Sequence, residues 1–224
     1  MTDEAAVAVL LSYLAGSVSF PYWVARARGV DLRAVGSRKL GGSNLWKSVG
    51  PAEAIVGGLL DAAKGFVAVV VARAVGLPLD VQLACGIAAI VGQMWPVFHG
   101  LDGGRANSAG WGFALALDPV AFVTMMLPVL AAIAMRLAVR PRPSRVLPLA
   151  SLLSFAVFPA VIWEQEGTTP VVQAGLVVLA LILVRRITAG LGQDLATGAP
   201  PARVLANRAL FDRTELQQRG VVGI

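Results

Sequence analysis

Long apolar runs alternate with short polar ones along the chain. Residues 5–24, 52–75, 81–98, 120–139, 147–163 and 171–184 are apolar stretches of the length that crosses, or nearly crosses, a hydrocarbon layer, at ~1.5 Å per helical residue against ~30 Å of core. A further run, 108–117, is too short to cross alone and reads as a short helix that begins within the membrane. The first run contains Gly16, Ser17, Ser19 and Pro21. Such breaks are tolerated where neighbouring helices satisfy the freed backbone groups, and small residues let helices approach closely. The pattern predicts an all-α, polytopic integral membrane bundle of about seven transmembrane segments, one of them short, over residues 1–190. A polar cytosolic tail over 191–224 follows, with Pro201, Val204, Leu205, Leu210 and Phe211 at roughly helical spacing. The spacing fits an amphipathic surface helix, and the polarity fits a loosely ordered tail.

Composition agrees with this reading. The chain is 57% hydrophobic and 14% charged, and its mean hydropathy of +0.73 excludes an ordinary soluble domain. The formal charge of +6 does not call for nucleic acid, because Lys and Arg in a membrane protein serve orientation and contact with anionic lipid or phosphate. Cys85 is the one cysteine and lies in an apolar run, so it reads as a small buried apolar residue and forms neither an internal disulfide nor a metal cluster. No metal and no cofactor is expected. The N-terminus has no basic region ahead of its apolar run and no small-residue cleavage site close behind it, so no signal peptide is read.

The charges also set an orientation. With the N-terminus outside, the inner loops receive the basic stretch 31–47, Arg105, the cluster Arg136, Arg140, Arg142 and Arg145, and Arg185 with Arg186. The outer side receives Asp3, Glu4, Asp80, Asp118, Glu164 and Glu166. Only Arg73 disobeys this inside excess of cations. The expected location is the inner (plasma) membrane, with the glycine-rich loops facing the cytosol.

Three features carry candidate chemistry. The stretch DLRAVGSRKLGGSNLWK, residues 31–47, sets Arg33, Arg38, Lys39 and Lys47 around Gly36, Gly41 and Gly42, with Ser37, Ser43 and Asn44 among them. Glycines let backbone N–H groups converge on an oxyanion, hydroxyls and amides add directed donors, and cations supply charge. A basic membrane-flanking loop that only fixes orientation has a similar composition. A second glycine–cation turn, Gly103, Gly104 and Arg105, opens directly into the short helix. Between them, Asp61 and Lys64 sit three apart in an apolar run and so share a helical face. Intramembrane charges of this kind serve a polar site or lock two helices together. His99, the single histidine, could act as a base but reads better as an interfacial residue.

Taken in order, GSVSF, DLRAVGSRKLGGSNLWK, DAAKG, GQMWPVF with GGR, and SLLSFAVFP resemble the motifs of the bacterial acyl-phosphate-dependent glycerol-3-phosphate acyltransferases of the PlsY type. The resemblance runs from about Gly16 to Arg186. It implies transfer of a fatty acyl group from acyl phosphate to glycerol 3-phosphate, giving lysophosphatidic acid for phospholipid synthesis, with membrane lipids around the site. It implies catalytic roles for Ser37, Lys64 and Arg105. Substrate-binding roles fall to Ser43, Asn44, Lys47, Asp61, Gly103, Gly104 and Arg186. This chain departs from the family pattern at several positions. Arg38 and Lys39 replace Gly and Asn, and Gln93 replaces His. Arg105 and Ala106 replace Lys and Gly, Arg186 stands at a His, and Ala189 at an Asn. A small-anion transporter and a non-catalytic lipid- or acyl-phosphate-binding paralogue are the other classes such residues could serve.

Overall fold

The computed structural model describes residues 2–139 and 145–212, and those residues are entirely helix and connection. In chain order the helices are α1 (Asp3–Ser17), α2 (Phe20–Ala27), α3 (Gly42–Ser48), α4 (Pro51–Ala74) and α5 (Leu79–Met94). A single 3₁₀ turn (Val97–His99) follows, then α6 (Asn107–Leu117), α7 (Pro119–Ala138), α8 (Val146–Glu166), α9 (Pro170–Thr188), α10 (Leu191–Leu195) and α11 (Pro201–Phe211). Six stretches among the described residues are long and apolar enough to span a membrane, with α1 and α2 counting as one. The 11-residue α6 is the short seventh segment. The protein is an all-α polytopic membrane protein, as its hydropathy predicts.

Two details go beyond the sequence reading. Residues 42–48, expected as loop, form α3. The tail forms α10 and α11 as far as Phe211, while its remainder, with Arg140 and Arg142, lies outside the described residues.

The helix starts follow local chemistry. Ser19 accepts the Tyr22 N–H and Pro21 stands in the first turn of α2. Asp118 accepts the Ala121 N–H at 2.8 Å ahead of Pro119 in α7, and Thr169 does the same for Val172 ahead of Pro170 in α9. An oxygen at the N-cap satisfies a donor that the helix leaves open, and proline at the first position costs no hydrogen bond.

The chain divides into two compact units, Met1–Leu117 and Asp118–Ile224. In the first, helices meet at backbone distance. A Cβ on Gly16 or Gly92 of α1 and α5 would sit on the carbonyl oxygen of Ala89 or Tyr13, and one on Gly65 or Gly112 of α4 and α6 on that of Ala109 or Ala62. Only glycine permits this approach, which is how membrane helices gain packing without a hydrophobic drive between them. Arg73, the cation that broke the charge rule, donates through Nη2 to the Ala116 carbonyl at 2.9 Å and through Nε to Gln82 Oε1 at 3.3 Å. It closes the C-terminal end of α6, where a cation meets unsatisfied carbonyls and the negative end of the helix dipole.

In the second unit, α8 and α9 pack together and α11 lies against both. Arg208 of α11 is 1% exposed. Its Nε pairs with Asp194 Oδ2 at 2.7 Å, and its terminal nitrogens donate to the carbonyls of Ile187, Ala189 and Gly190 at the end of α9.

Candidate functional site

The basic stretch is a folded knot with its own small core. Leu32, Leu40 and Leu45 are buried with Tyr22, Ala25 and Ala54. The Asn44 side chain holds the turns together. Its Oδ1 accepts the Ser37 N–H at 3.0 Å, and its Nδ2 donates to the carbonyls of Leu32, Val35 and Lys39 at 3.0, 3.2 and 3.1 Å. Ser19 Oγ donates to the Leu40 carbonyl at 3.2 Å and anchors the knot to the break between α1 and α2. Asp31 accepts the Arg33 N–H at 2.9 Å. That hydrogen bond holds its carboxyl below the usual carboxylate range. Within this frame Arg33, Arg38, Ser43 and Lys47 are exposed, Ser37 is half-buried and Asn44 is buried. Arg38 adopts φ 58°, the left-handed conformation for which the family uses glycine.

Beneath the knot lies the intramembrane pair. Asp61 and Lys64 are 3% and 7% exposed and their charged ends are 2.8 Å apart. Lys64 Nζ also donates to the carbonyls of Gly16 and Val18 at 3.0 and 2.7 Å. Three acceptors thus take its three N–H groups. Two of them are carbonyls that α1 cannot satisfy where it stops, so the lysine fastens α4 to the break in the first span. Phe20 places its ring 5.7 Å from the same ammonium. The second Asp61 oxygen accepts from Gln93 Nε2 at 2.5 Å. A neutral amide near a helix end gives no charge signal, so the sequence marks Gln93 only by its standing at the family's His, two residues before Trp95.

Gln93 also leads to the second glycine turn. The Gly103 and Gly104 N–H groups donate to the carbonyls of Met94 and Gln93 at 3.2 and 3.1 Å. They therefore close the end of α5 instead of standing open. Ala106, with φ 55°, turns the chain into α6, and Arg105 is half-buried beside it. His99 stacks edge-on against Tyr22 with ring centroids 5.1 Å apart. The Arg33 guanidinium covers the same Tyr22 ring at 4.7 Å and donates to its hydroxyl. Tyr22 is thus the point where the basic knot meets the segment leading to Gly103.

The first unit therefore brings Asp61, Lys64 and Gln93 together under the Gly103–Gly104 turn, and it joins Arg33 to His99 through Tyr22. Arg186 belongs to the second unit. It is 1% exposed and donates to the carbonyls of Pro148 and Ala209 at 3.1 and 3.3 Å and to Ser151 Oγ at 2.8 Å. A buried carboxylate–ammonium–amide network below a cationic knot is equipment for holding and orienting anionic groups at an interface.

The model of the family described as glycerol-3-phosphate acyltransferase matches residues 6–190. A glycerol-3-phosphate acyltransferase of Thiobacillus denitrificans is 37% identical over 196 residues, 85% of this chain and 92% of that protein. Glycerol-3-phosphate acyltransferase 1 of Deinococcus radiodurans is 40% identical over 124 residues, 55% of this chain. That aligned stretch is less than two thirds of the relative's length, at 63%. A crystal structure of PlsY, an integral membrane glycerol 3-phosphate acyltransferase, in its glycerol 3-phosphate form, superposes with a TM-score of 0.73 and 28% identity. The superposition covers 90% of this chain and 98% of that one. The match runs through both glycine–cation stretches and the pair between them, and on that ground this chain belongs to the glycerol-3-phosphate acyltransferase family.

Proposed function

We propose that this protein is a membrane glycerol-3-phosphate acyltransferase that takes its acyl group from acyl phosphate. The observation that carries the reading is the family match across residues 6–190. It is supported by a buried Asp61–Lys64–Gln93 network, assembled with no Ser-His-Asp arrangement among the motifs. In the proposed reaction, the primary hydroxyl oxygen of glycerol 3-phosphate attacks the acyl carbonyl carbon. The bond from that carbon to the phosphate oxygen breaks, inorganic phosphate leaves, and the hydroxyl proton ends on phosphate. Because acyl phosphate is already activated, the protein's task is to hold two anions together and aim the hydroxyl, with donors placed for the charge that develops on the carbonyl oxygen.

Ser37, Ser43, Lys47 and Arg105 would supply donors and charge to the phosphates, with Arg105 and Ser37 nearest the reacting groups. Asn44 holds the knot in shape, Gly103 and Gly104 fix the turn, and Asp61 with Lys64 sets the floor. Arg186 is proposed for phosphate binding from its place in the last motif alone; its terminal nitrogens donate to Pro148, Ala209 and Ser151 within the second unit. The acyl chain lies in the bilayer. The excess of cations on one set of loops supports a plasma-membrane orientation with both glycine turns cytosolic and the N-terminus, with Asp3 and Glu4, outside.

The test is turnover by the full chain in nanodiscs supplied with palmitoyl phosphate and glycerol 3-phosphate. Lysophosphatidic acid and inorganic phosphate should appear in equal amounts. Turnover with acyl thioesters alone would reject the donor, and none with any donor would reject the enzyme.

A further inference from the structure

Gln93 has one half of its amide explained and the other half not. Nε2 donates to Asp61, but Oε1 is buried and has no hydrogen-bond partner among the described residues. The amide cannot be turned round to exchange the two ends. Asp61 is paired with Lys64, so rotation would set the amide oxygen against a carboxylate oxygen. Gln93 is only 8% exposed, and buried acceptors are normally satisfied.

The orphan oxygen is also held firmly. Gln93 is pinned by Asp61, Asp61 by Lys64, and Lys64 by the Gly16 and Val18 carbonyls. The backbone carbonyl of Gln93 carries the Gly104 N–H, so the residue lies directly under the turn that leads to Arg105. A rigid, buried acceptor beside the turn that leads to the Arg105 cation suits a ligand with a hydroxyl close to its phosphate. A neutral amide oxygen accepts a hydrogen bond but takes no proton near neutral pH, so it suits a hydroxyl that keeps its proton throughout.

On the reading given above, and resting on it, we propose that Gln93 Oε1 accepts the hydrogen bond of the middle, unreacted hydroxyl of glycerol 3-phosphate. Gln93 thereby becomes the residue that reads the acceptor's polyol backbone. An acceptor without that hydroxyl leaves Oε1 unsatisfied, which is how a site built around a hydrogen bond rejects an analogue lacking its partner.

The experiment compares glycerol 3-phosphate with 3-hydroxypropyl phosphate, which keeps the phosphate and the primary hydroxyl but lacks the middle one. The full chain in nanodiscs is used as wild type and as Gln93→Met. Two ratios are read: kcat/KM for the two acceptors with palmitoyl phosphate, and their dissociation constants by calorimetry without donor. Wild type should favour glycerol 3-phosphate by about ten- to a hundredfold. In Gln93→Met the preference should collapse toward unity, through loss on glycerol 3-phosphate alone.

Equal use of both acceptors by wild type overturns the proposal and needs no variant. So does a Gln93→Met protein that weakens both acceptors alike, since Gln93 would then only anchor Asp61. If wild type binds glycerol 3-phosphate but transfers no acyl group, the proposed function fails while the binding ratio still judges Gln93. If wild type binds neither acceptor, both fall.

Discussion

Ala106 and Arg38 stand where the motif resemblance puts glycine. Both hold positive φ, 55° and 58°, where a side chain costs about 1–2 kcal/mol. Ala106 is 2% exposed and its carbonyl accepts the Gly110 N–H at 2.8 Å to open α6, so the turn is too well tied to relax. Ala106→Gly is therefore expected to stabilise the protein by about 1 kcal/mol. Denaturation of wild type and variant in the same detergent checks this, and an unchanged or lower midpoint would remove the strain argument. Residue by residue, the sequence revealed charge best. Asp61 and Lys64 announced themselves as a pair because ions in an apolar run need each other. What it concealed were the partners supplied by tertiary structure. The carbonyls of Gly16 and Val18 lie far upstream of Lys64, and no side-chain pattern marks them. The contacts of Gln93 and Asn44 were hidden for a related reason: a neutral amide in the sequence does not say which groups it will meet.

Among the elements, the long spans were legible because hydropathy and length alone decide them. The short ones were not. The seven residues of α3 are too few for a periodic pattern to emerge, and two glycines flank their start. Helix α11 gave a pattern, but nothing in it marks Arg208 as buried, since an arginine in a polar tail is expected to face water. It is instead the peg that fastens α10 and α11 to the end of α9. Arg208→Ala would leave Asp194, itself 1% exposed, as a buried charge without its guanidinium. Removing one member of such a pair costs about 3–5 kcal/mol. The expected result is local: residues 191–211 should become protease-sensitive and lose hydrogen-exchange protection while α7 retains it. Unchanged protection across α10 and α11 would show that their apolar contacts suffice.

For the molecule as a whole, the strongest sequence statement was orientation, and Arg73 was its lone exception. The structure explains that exception by chemistry unrelated to topology, since Arg73 serves the α6 carbonyls. Reporters fused after residues 38, 105 and 142 and at the C-terminus should be active in the cytosol, and one at the N-terminus should be active outside. A C-terminus found outside would refute the seven-segment topology. The glycine contacts of the first unit reach further, to the question of how the acyl donor is measured. Enzymes that select chain length commonly use a closed-ended tunnel as a ruler. Here α1 meets α5, and α4 meets α6, backbone to backbone through Gly16, Gly92, Gly65 and Gly112, so no methylene chain threads those seams. A tail kept to the lipid-facing side has no wall at its far end. Palmitoyl and stearoyl phosphate should accordingly be used within about threefold of each other in kcat/KM, because additional methylenes would exchange one apolar surrounding for another. A steep preference between them would point to a wall elsewhere in the chain.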